Sequence, residues 1–350
     1  MNLNNKKILL IKLRYIGDTL SILPVVENLK RNMPDAAVDV MVHKGTEEIL
    51  KFHPDIRKIW KYDRKLARKN VLNTVSYHVK LIKHIRSELY NTVIDFTLGD
   101  RAAFISFMTG ANNRITYSDS SRLSHILMNQ IIRSDPFEHH IVDHQLESLK
   151  ALGIKDIKKE MSIHIPESVE KDIERIFNEA NLANGPMNIA IHPGARGKLR
   201  QWKTSGFADI AKRIKLVFSA NLILIGGPDE EEIVDRVEEE MEFQADLKTT
   251  GLGLLHMAAL FRRCNLFLGN DSAPGHIAAA VGCPTLSIFG PTFPHMWRPI
   301  HPEGEVIFKN LTCCGCKQRE CIRPGKNCMD IIEVDEVWER IEKMINRVSK

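Results

Sequence analysis

Apolar residues follow two patterns along this chain: short unbroken runs, and longer segments in which they recur every third or fourth position. The first pattern reads as buried strands and the second as helices with one apolar face. Residues 7–13 predict a strand, and 19–32 a helix with Ile22, Leu23, Val26 and Leu29 on one side. Strands are expected at 38–42, 56–60 and 92–96, with a short helix at 47–52 and a helical stretch around 75–88. A further helix over 141–152 stops at Gly153, where a glycine can take the left-handed conformation of a C-cap. After a helix at 169–180, Asn184-Gly185-Pro186 has the composition of a hinge. The alternation then restarts, with strands at 188–192, 222–225, 266–268 and 285–289 and helices at 207–218, 230–240, 254–261 and 276–281. A helix over 334–348 closes the chain.

Repeated alternation of strand and helix predicts parallel sheets covered by helices. At 350 residues the chain exceeds a comfortable single core, so two domains are expected. The expected architecture is α/β, with two Rossmann-like doubly wound domains facing across a cleft. Residues 1–183 form the first and 184–332 the second, with 333–350 a helix packing back toward the first. The hydrophobic share of 43% and charged share of 27% are those of an ordinary globular protein. No apolar run approaches the ~18 residues of a membrane span. Residues 8–11 lie between lysines and are too short for a secretory core, so a cytoplasmic protein is expected. A net charge of +5 does not point to nucleic acid, but the segment 57–69 is locally basic. Arg57, Lys58, Lys61, Arg64, Lys65, Arg68 and Lys69 there face the single acid Asp63. Such a segment is either a solvated face or a surface for a phosphorylated substrate or an anionic membrane.

The most informative stretch is 266–292. Asp271 and Ser272 are N-cap residue types, while Ala273, Pro274 and Gly275 put almost no side chain over the start of the helix. Free amides and the helix dipole would make this an anion site, with hydrogen bonds from Ser272 and His276. A second strand ends at His192, and the loop after it carries Arg196, Lys198 and Arg200 before Trp202. Three cations in so short a loop suit the neutralisation of a diphosphate as it leaves. The loop Gly226-Gly227-Pro228 ends another strand, and the acids Asp229, Glu230, Glu231 and Glu232 after it either favour the helix dipole or include one that accepts from ribose hydroxyls, with Asp229 first among them. Gly251 and Leu252 would face a base through backbone groups. In the first half, Asp18 opens a helix after the strand at 7–13, either as an N-cap or as a general base for a hydroxyl. The lone Gly17 in that turn is not a dinucleotide fingerprint. No Asp-x-Asp pair occurs, which argues for chemistry independent of a divalent metal. His139, His140 and His144 lack a carboxylate companion and read as solvated or capping residues. Five of the seven cysteines fall in Cys313-Cys314-x-Cys316-x4-Cys321-x6-Cys328, a clustering that suggests a structural element or a metal site, with Cys313, Cys316, Cys321 and Cys328 as the set.

Taken together, Lys12-Leu13-Arg14-Tyr15-Ile16-Gly17-Asp18-Thr19-Leu20, the His192-Pro193-Gly194-Ala195 loop with its cations and Trp202, and the 266–292 unit resemble glycosyltransferase family 9, the heptosyltransferases. The N-terminal segment resembles the heptosyltransferase III type. The resemblance implies the GT-B fold and an inverting, metal-independent transfer of heptose from ADP-L-glycero-D-manno-heptose to the inner core of lipopolysaccharide. It implies Asp18 as the base. Donor contacts fall to His192, Arg196, Lys198, Arg200, Asp229, Gly251, Leu252, Asp271, Ser272, Ala273, Gly275 and His276, with Lys198 or Arg200 as the phosphate ligand. Asp271 is expected to cap the helix or bind donor hydroxyls, since a carboxylate beside a diphosphate repels it. Arg14, Arg64, Lys65 and Arg68 stand on the acceptor side. No cofactor is expected beyond the donor, and the protein is expected in peripheral contact with the inner face of the cytoplasmic membrane. A nucleotide-sugar epimerase and a non-catalytic nucleotide-sugar-binding protein are the alternatives.

Overall fold

A computed structural model describes residues 6–68, 71–135, 137–183, 186–316, 320–323 and 327–348. The chain divides into two compact units, Met1–His164 and Ile165–Lys350. In the first, β1 (Lys7–Lys12), β2 (Ala37–His43), β3 (Lys58–Tyr62), β4 (Thr92–Asp95), β5 (Asn113–Tyr117) and β6 (Gln130–Ile132) form one sheet in the order β3-β2-β1-β4-β5-β6. In the second, β7 (Asn188–His192), β8 (Asn221–Gly226), β9 (Leu247–Thr250), β10 (Leu266–Asn270), β11 (Thr285–Phe289) and β12 (Glu305–Phe308) pair in the order β9-β8-β7-β10-β11-β12. Every pairing is parallel. The two orders are the same winding, 3-2-1-4-5-6. Each sheet therefore reverses direction once, between its first and fourth strands, and a ligand crevice belongs at that reversal beyond the strand C-termini.

The unbroken apolar runs are the central strands. Ile8–Ile11 of β1 and Leu266–Leu268 of β10 are each 0% exposed along their length, because helices cover both faces of a parallel sheet. Elements with weaker apolar signal went unrecognised. Helix Asp100–Met108, the three-residue strand Gln130–Ile132 and the polar edge strand Leu247–Thr250 are examples. The helix expected over 19–32 is two helices, Ile16–Leu20 and Leu23–Asn32, because Pro24 has no N–H to carry the ladder through. The helix expected from 276 begins at Ala273, with Pro274 tolerated in the first turn where no intrahelical N–H is needed.

Helix Glu167–Glu179 packs in the second unit, where Glu170 pairs with Arg262 at 2.8 Å and with Arg263 at 2.5 Å. The hinge expected at 184–186 lies beyond it, and Asn184 and Gly185 are outside the described residues. Helix Val334–Val348 buries Val337, Ile341, Met344 and Ile345 in the second unit's own core, together with Phe207, Ile210 and Ile214. These apolar residues belong to the second unit's core.

Candidate functional site

In the first unit β1 ends at Lys12, which is 4% exposed. Its Nζ lies 3.1 Å from Asp18 Oδ1 and donates to the Phe96 carbonyl at 3.1 Å. A buried ammonium is costly unless paired, and Asp18 supplies the partner from the first turn of helix Ile16–Leu20. Register sets Ile11 opposite Asp95, so the end of β4 arrives beside the same lysine. Asp95 Oδ1 accepts from the Thr97 and Leu98 N–H groups at 2.7 and 3.3 Å, while its buried Oδ2 has no hydrogen-bond partner among the described residues. Burial pushes the Asp95 carboxyl up to about 7, against the opposing pull of those amides and of Lys12. Behind Asp18, Ser21 Oγ donates to the Asp18 carbonyl at 2.7 Å and accepts from Gln145 Nε2 at 2.8 Å. Arg14 lies exposed at the rim, with Nη2 donating to the Thr97 carbonyl at 3.2 Å. The first reversal point therefore presents a part-exposed carboxylate paired with a buried lysine.

The second reversal point has the opposite character. His192, 2% exposed at the end of β7, shares one ring nitrogen with Glu230 Oε2 at 3.0 Å and the other with Ser272 Oγ at 3.4 Å. Glu230 Oε2 also accepts from the Gly227 N–H at 2.8 Å. Burial alone would raise the Glu230 carboxyl, but His192 and Gly227 together hold it below the usual range. This carboxylate lies so close over the His192 loop that a Cβ on Gly194 would come within 2.2 Å of it. Beyond Gly194, Gly197 turns at a φ of 97°, and Lys198–Arg200 form a short 3-10 turn. Asn270, at the end of β10, accepts from the Trp202 N–H at 3.0 Å and donates to the Pro193 carbonyl at 2.7 Å, which ties both ends of the basic loop to the central strand. Helix Ala273–Ala280 starts immediately afterwards, and its first-turn amides have no intrahelical acceptor. Ser272, the N-cap, makes no capping bond with its side chain, so those amides stay open to an anion.

The sequence profile of glycosyltransferase family 9 (heptosyltransferase) matches residues 78–326, a span that includes the basic, amide-lined loop of the second reversal. The chain belongs to this family. It is 29% identical over 340 residues to the lipopolysaccharide heptosyltransferase 3 of Escherichia coli (strain K12), covering 95% of this chain and 96% of that protein. Its fold is that of the family 9 glycosyl transferase from Veillonella parvula, with a TM-score of 0.86 at 22% identity and 99% of both chains covered. The structure of E. coli ADP-heptose lps heptosyltransferase II superposes with a TM-score of 0.76 at 18% identity, over 98% of this chain and 100% of that one. The GT-B class expected from the sequence is thus the observed fold.

Several of the expected residues lie close together in this glycosyltransferase. His192, Ser272, Ala273, Gly275 and His276 gather at the end of β7 and the start of the helix that follows β10, and Arg196 and Lys198 are exposed on the basic loop. Others take different places. Asp271 does not cap the helix. Its N–H continues the strand ladder to the Ile288 carbonyl, and its carboxylate lies 3.4 Å from Arg200 Nη1. Burial raises the Asp271 carboxyl, an effect Arg200 and Thr292 oppose. Asp229 is exposed in the turn after β8, whereas the neighbouring Glu230 reaches His192. Gly251 and Leu252 follow β9, with the Gly251 N–H donating to the Gly226 carbonyl at 3.0 Å. Of the four acids after β8 it is Glu230 that reaches His192, and Asn270, Lys12 and Asp95 were not singled out in the sequence. A polar residue closing an apolar strand before a turn would have flagged Asn270.

The basic segment 57–69 is less free than its composition suggests. Arg57 binds the buried Asp39 and pairs with Glu88, Lys58 pairs with Glu88 at 2.7 Å, and Lys61 with Glu47 at 3.2 Å. Arg64 and Lys65 stay exposed in the turn after β3 and make no ion pair with a described residue. The Arg68 side chain and Lys69 lie outside the described residues. His140 caps helix Ile141–Ala151, its Nδ1 accepting from the Val142 N–H at 3.2 Å.

No disulfide joins the described cysteines, and Cys313, Cys314, Cys316, Cys321 and Cys328 line one concavity with Leu199, Pro291, Ile322 and Asn327. Burial and the neighbouring sulfurs push the Cys328 thiol up to about 11. Among the described residues no three His, Cys, Asp or Glu side chains stand converged as a formed metal site.

Proposed function

We propose that this family 9 enzyme transfers L-glycero-D-manno-heptose, with inversion, from ADP-heptose to a sugar of the lipopolysaccharide inner core. The observation that carries the reading is the opposite chemistry of the two reversal points, a carboxylate at the first and cations with open amides at the second. An inverting transfer needs both. A base takes the proton of the acceptor hydroxyl as it attacks the anomeric carbon, and cations stabilise the diphosphate as the C–O bond breaks. The similar E. coli heptosyltransferases, named for ADP-heptose and lipopolysaccharide, support the donor and acceptor class. Asp18 is the base on this reading.

Lys198 is the principal phosphate ligand, because it is exposed and makes no ion pair with a described residue, whereas Arg200 is partly neutralised by Asp271. Arg196, Ser272 and the amides of Ala273 and Gly275 complete the diphosphate site, with His192 fixed behind Ser272 by Glu230. The missing Asp-x-Asp pair and the abundance of cations support transfer without a divalent metal on the diphosphate. Arg14, Arg64, Lys65 and Arg68 meet acceptor phosphates, in peripheral contact with the cytoplasmic face of the inner membrane. No helix among the described residues is long and apolar enough to cross a membrane.

The test is ADP release from ADP-heptose with a purified truncated lipopolysaccharide acceptor. Asp18→Asn is expected to lower kcat by roughly 10²–10⁴-fold with the donor KM little changed, the usual contribution of a general base. Near-normal turnover would remove Asp18 from that role. Lys198→Ala is expected to weaken ADP binding about tenfold in calorimetry, and Arg200→Ala less, as suits the loss of one charged hydrogen bond. Tighter binding of UDP than of ADP would overturn the donor assignment.

A further inference from the structure

The helices on one face of the first sheet carry a surface that the transfer chemistry does not use. Helix Val71–Ser87 and helix Asp100–Met108 cover the same core, the first through Tyr77, Leu81 and Ile85 and the second through Ala102 and Ile105. Helix Arg122–Leu127 packs beside the second of them. A residue two places from a buried one lies roughly 200° round a helix, so it points away from the sheet. Val75 and Val79 hold such places on the first helix, Phe104 and Phe107 on the second. Together with Ile126 of the third, these five side chains are between 43% and 77% exposed. A surface helix ordinarily turns polar residues to water, so apolar groups facing outward from three adjacent helices mark an interaction face.

The charge on this face selects the partner. No Asp or Glu occurs between residues 64 and 87 or in 122–127, and helix Asp100–Met108 has only Asp100, at its first position. Val75, Val79, Lys83 and Arg86 fall at helical spacing, a single stripe in which apolar groups give way to cations. Lys83, Arg86 and Arg122 are exposed and make no ion pair with a described residue. The Arg114 guanidinium lies over the Phe107 ring, 5.5 Å from its centroid, and adds a cation beside the apolar patch. A second copy of the chain set two-fold against this face would bring like charges together. An anionic bilayer answers both halves of the surface, with phosphates for the cations and the acyl boundary for the apolar side chains.

We propose that the outward face of helices 71–87, 100–108 and 122–127 docks on an anionic lipid bilayer, with Val79, Phe104, Phe107 and Ile126 entering the headgroup boundary and Lys83, Arg86 and Arg122 on lipid phosphates. Docking needs no acceptor sugar and no donor. Its use in catalysis rests on the reading above, in which the acceptor is carried in a membrane: a docked first unit meets an acceptor confined to the bilayer surface.

The test is co-sedimentation of the full chain with vesicles of phosphatidylglycerol and phosphatidylcholine, and with vesicles of phosphatidylcholine alone, all free of lipopolysaccharide. Binding is expected to the anionic vesicles, weakening with salt. Lys83→Gln with Arg86→Gln is expected to lower it roughly thirtyfold at low salt, the loss of two surface cations at about 1 kcal/mol each. Phe104→Ser with Ile126→Ser is expected to lower it about tenfold or more at any salt, since the apolar contribution is not screened. Leu216→Ser with Val217→Ser, which removes exposed apolar groups from the second unit, is expected to bind as the parent does. ADP binding unchanged in every variant shows that each is folded. Vesicle binding and heptose transfer are read separately, so the docking face can stand where the proposed reaction fails, and the reverse. Parent protein that ignores anionic vesicles would overturn the proposal, as would a Phe104→Ser, Ile126→Ser variant that binds them normally. A parent dimer that the same two substitutions dissolve, with vesicle binding unchanged, would assign the face to a second copy instead.

Discussion

At the scale of single residues, the first unit's site depends on how two carboxylates share one buried lysine. Asp18 holds Lys12 directly, while Asp95 lies fully buried with one oxygen unpartnered among the described residues. Because its folded pKa of about 7 stands above the ordinary 3.8, Asp95 favours the folded state fully only below the lower value. Its contribution is lost as the pH rises toward 7, where the buried group must ionise. Asp95→Asn keeps the oxygen that accepts from Thr97 and Leu98 and removes the titration. The variant is expected to be more stable than the parent at pH 8, by on the order of 1–4 kcal/mol, with the advantage gone near pH 4. Thermal melting of both proteins across that range is the measurement, and parallel pH profiles would refute it. The chain made Asp18 legible because it opens a helix after an apolar strand. Lys12 and Asp95 were hidden, since a charge closing a strand acquires meaning only when register brings its partner alongside.

At the scale of elements, the basic loop is positioned by the helix that follows it. Trp202 is 1% exposed and fixed by its indole bond to Ile332, and its ring fills the space over Gly206 in helix Thr204–Phe218. A methyl group in a helix normally stabilises by about 0.5–1 kcal/mol relative to glycine. Here an added Cβ would sit 2.6 Å from the Trp202 ring, which has nowhere to withdraw. Overpacking of this kind costs about 1–3 kcal/mol, so Gly206→Ala is expected to lower Tm and weaken ADP binding together. An unchanged Tm would mean the ring can move. The sequence located this loop well because strand, glycine and cations adjoin. It was less informative about the acidic turn after β8, where three consecutive acids, Glu230, Glu231 and Glu232, look alike and only the fold turns Glu230 toward His192. The same limit affected the basic segment, whose acidic partners Asp39, Glu47 and Glu88 come from other parts of the first unit.

At the scale of the whole molecule, the function proposed above gives the two units separable duties, which kinetics can read independently. Arg64→Glu with Lys65→Glu reverses charge on an exposed turn of the first unit and leaves the second untouched. The double variant is expected to raise the acceptor KM roughly tenfold at low salt, less at high salt, with ADP affinity unchanged. An unaltered acceptor KM would leave the turn a solvated surface. The number of sheets and their parallel sense followed from the alternation of runs. The point of division did not, because helix Glu167–Glu179 has the same periodicity whichever core it joins.

The identical winding of the two sheets has a consequence for how the protein is made. Every strand of the first sheet lies before residue 133 and every strand of the second after residue 187. No sheet waits for a distant piece of chain. As the polypeptide leaves the ribosome, the first half has all its strands in hand before the second begins to emerge, so the nascent chain can fold vectorially. A pause in translation between the halves would leave a finished sheet beside an unborn one, and not an open edge in search of its neighbour.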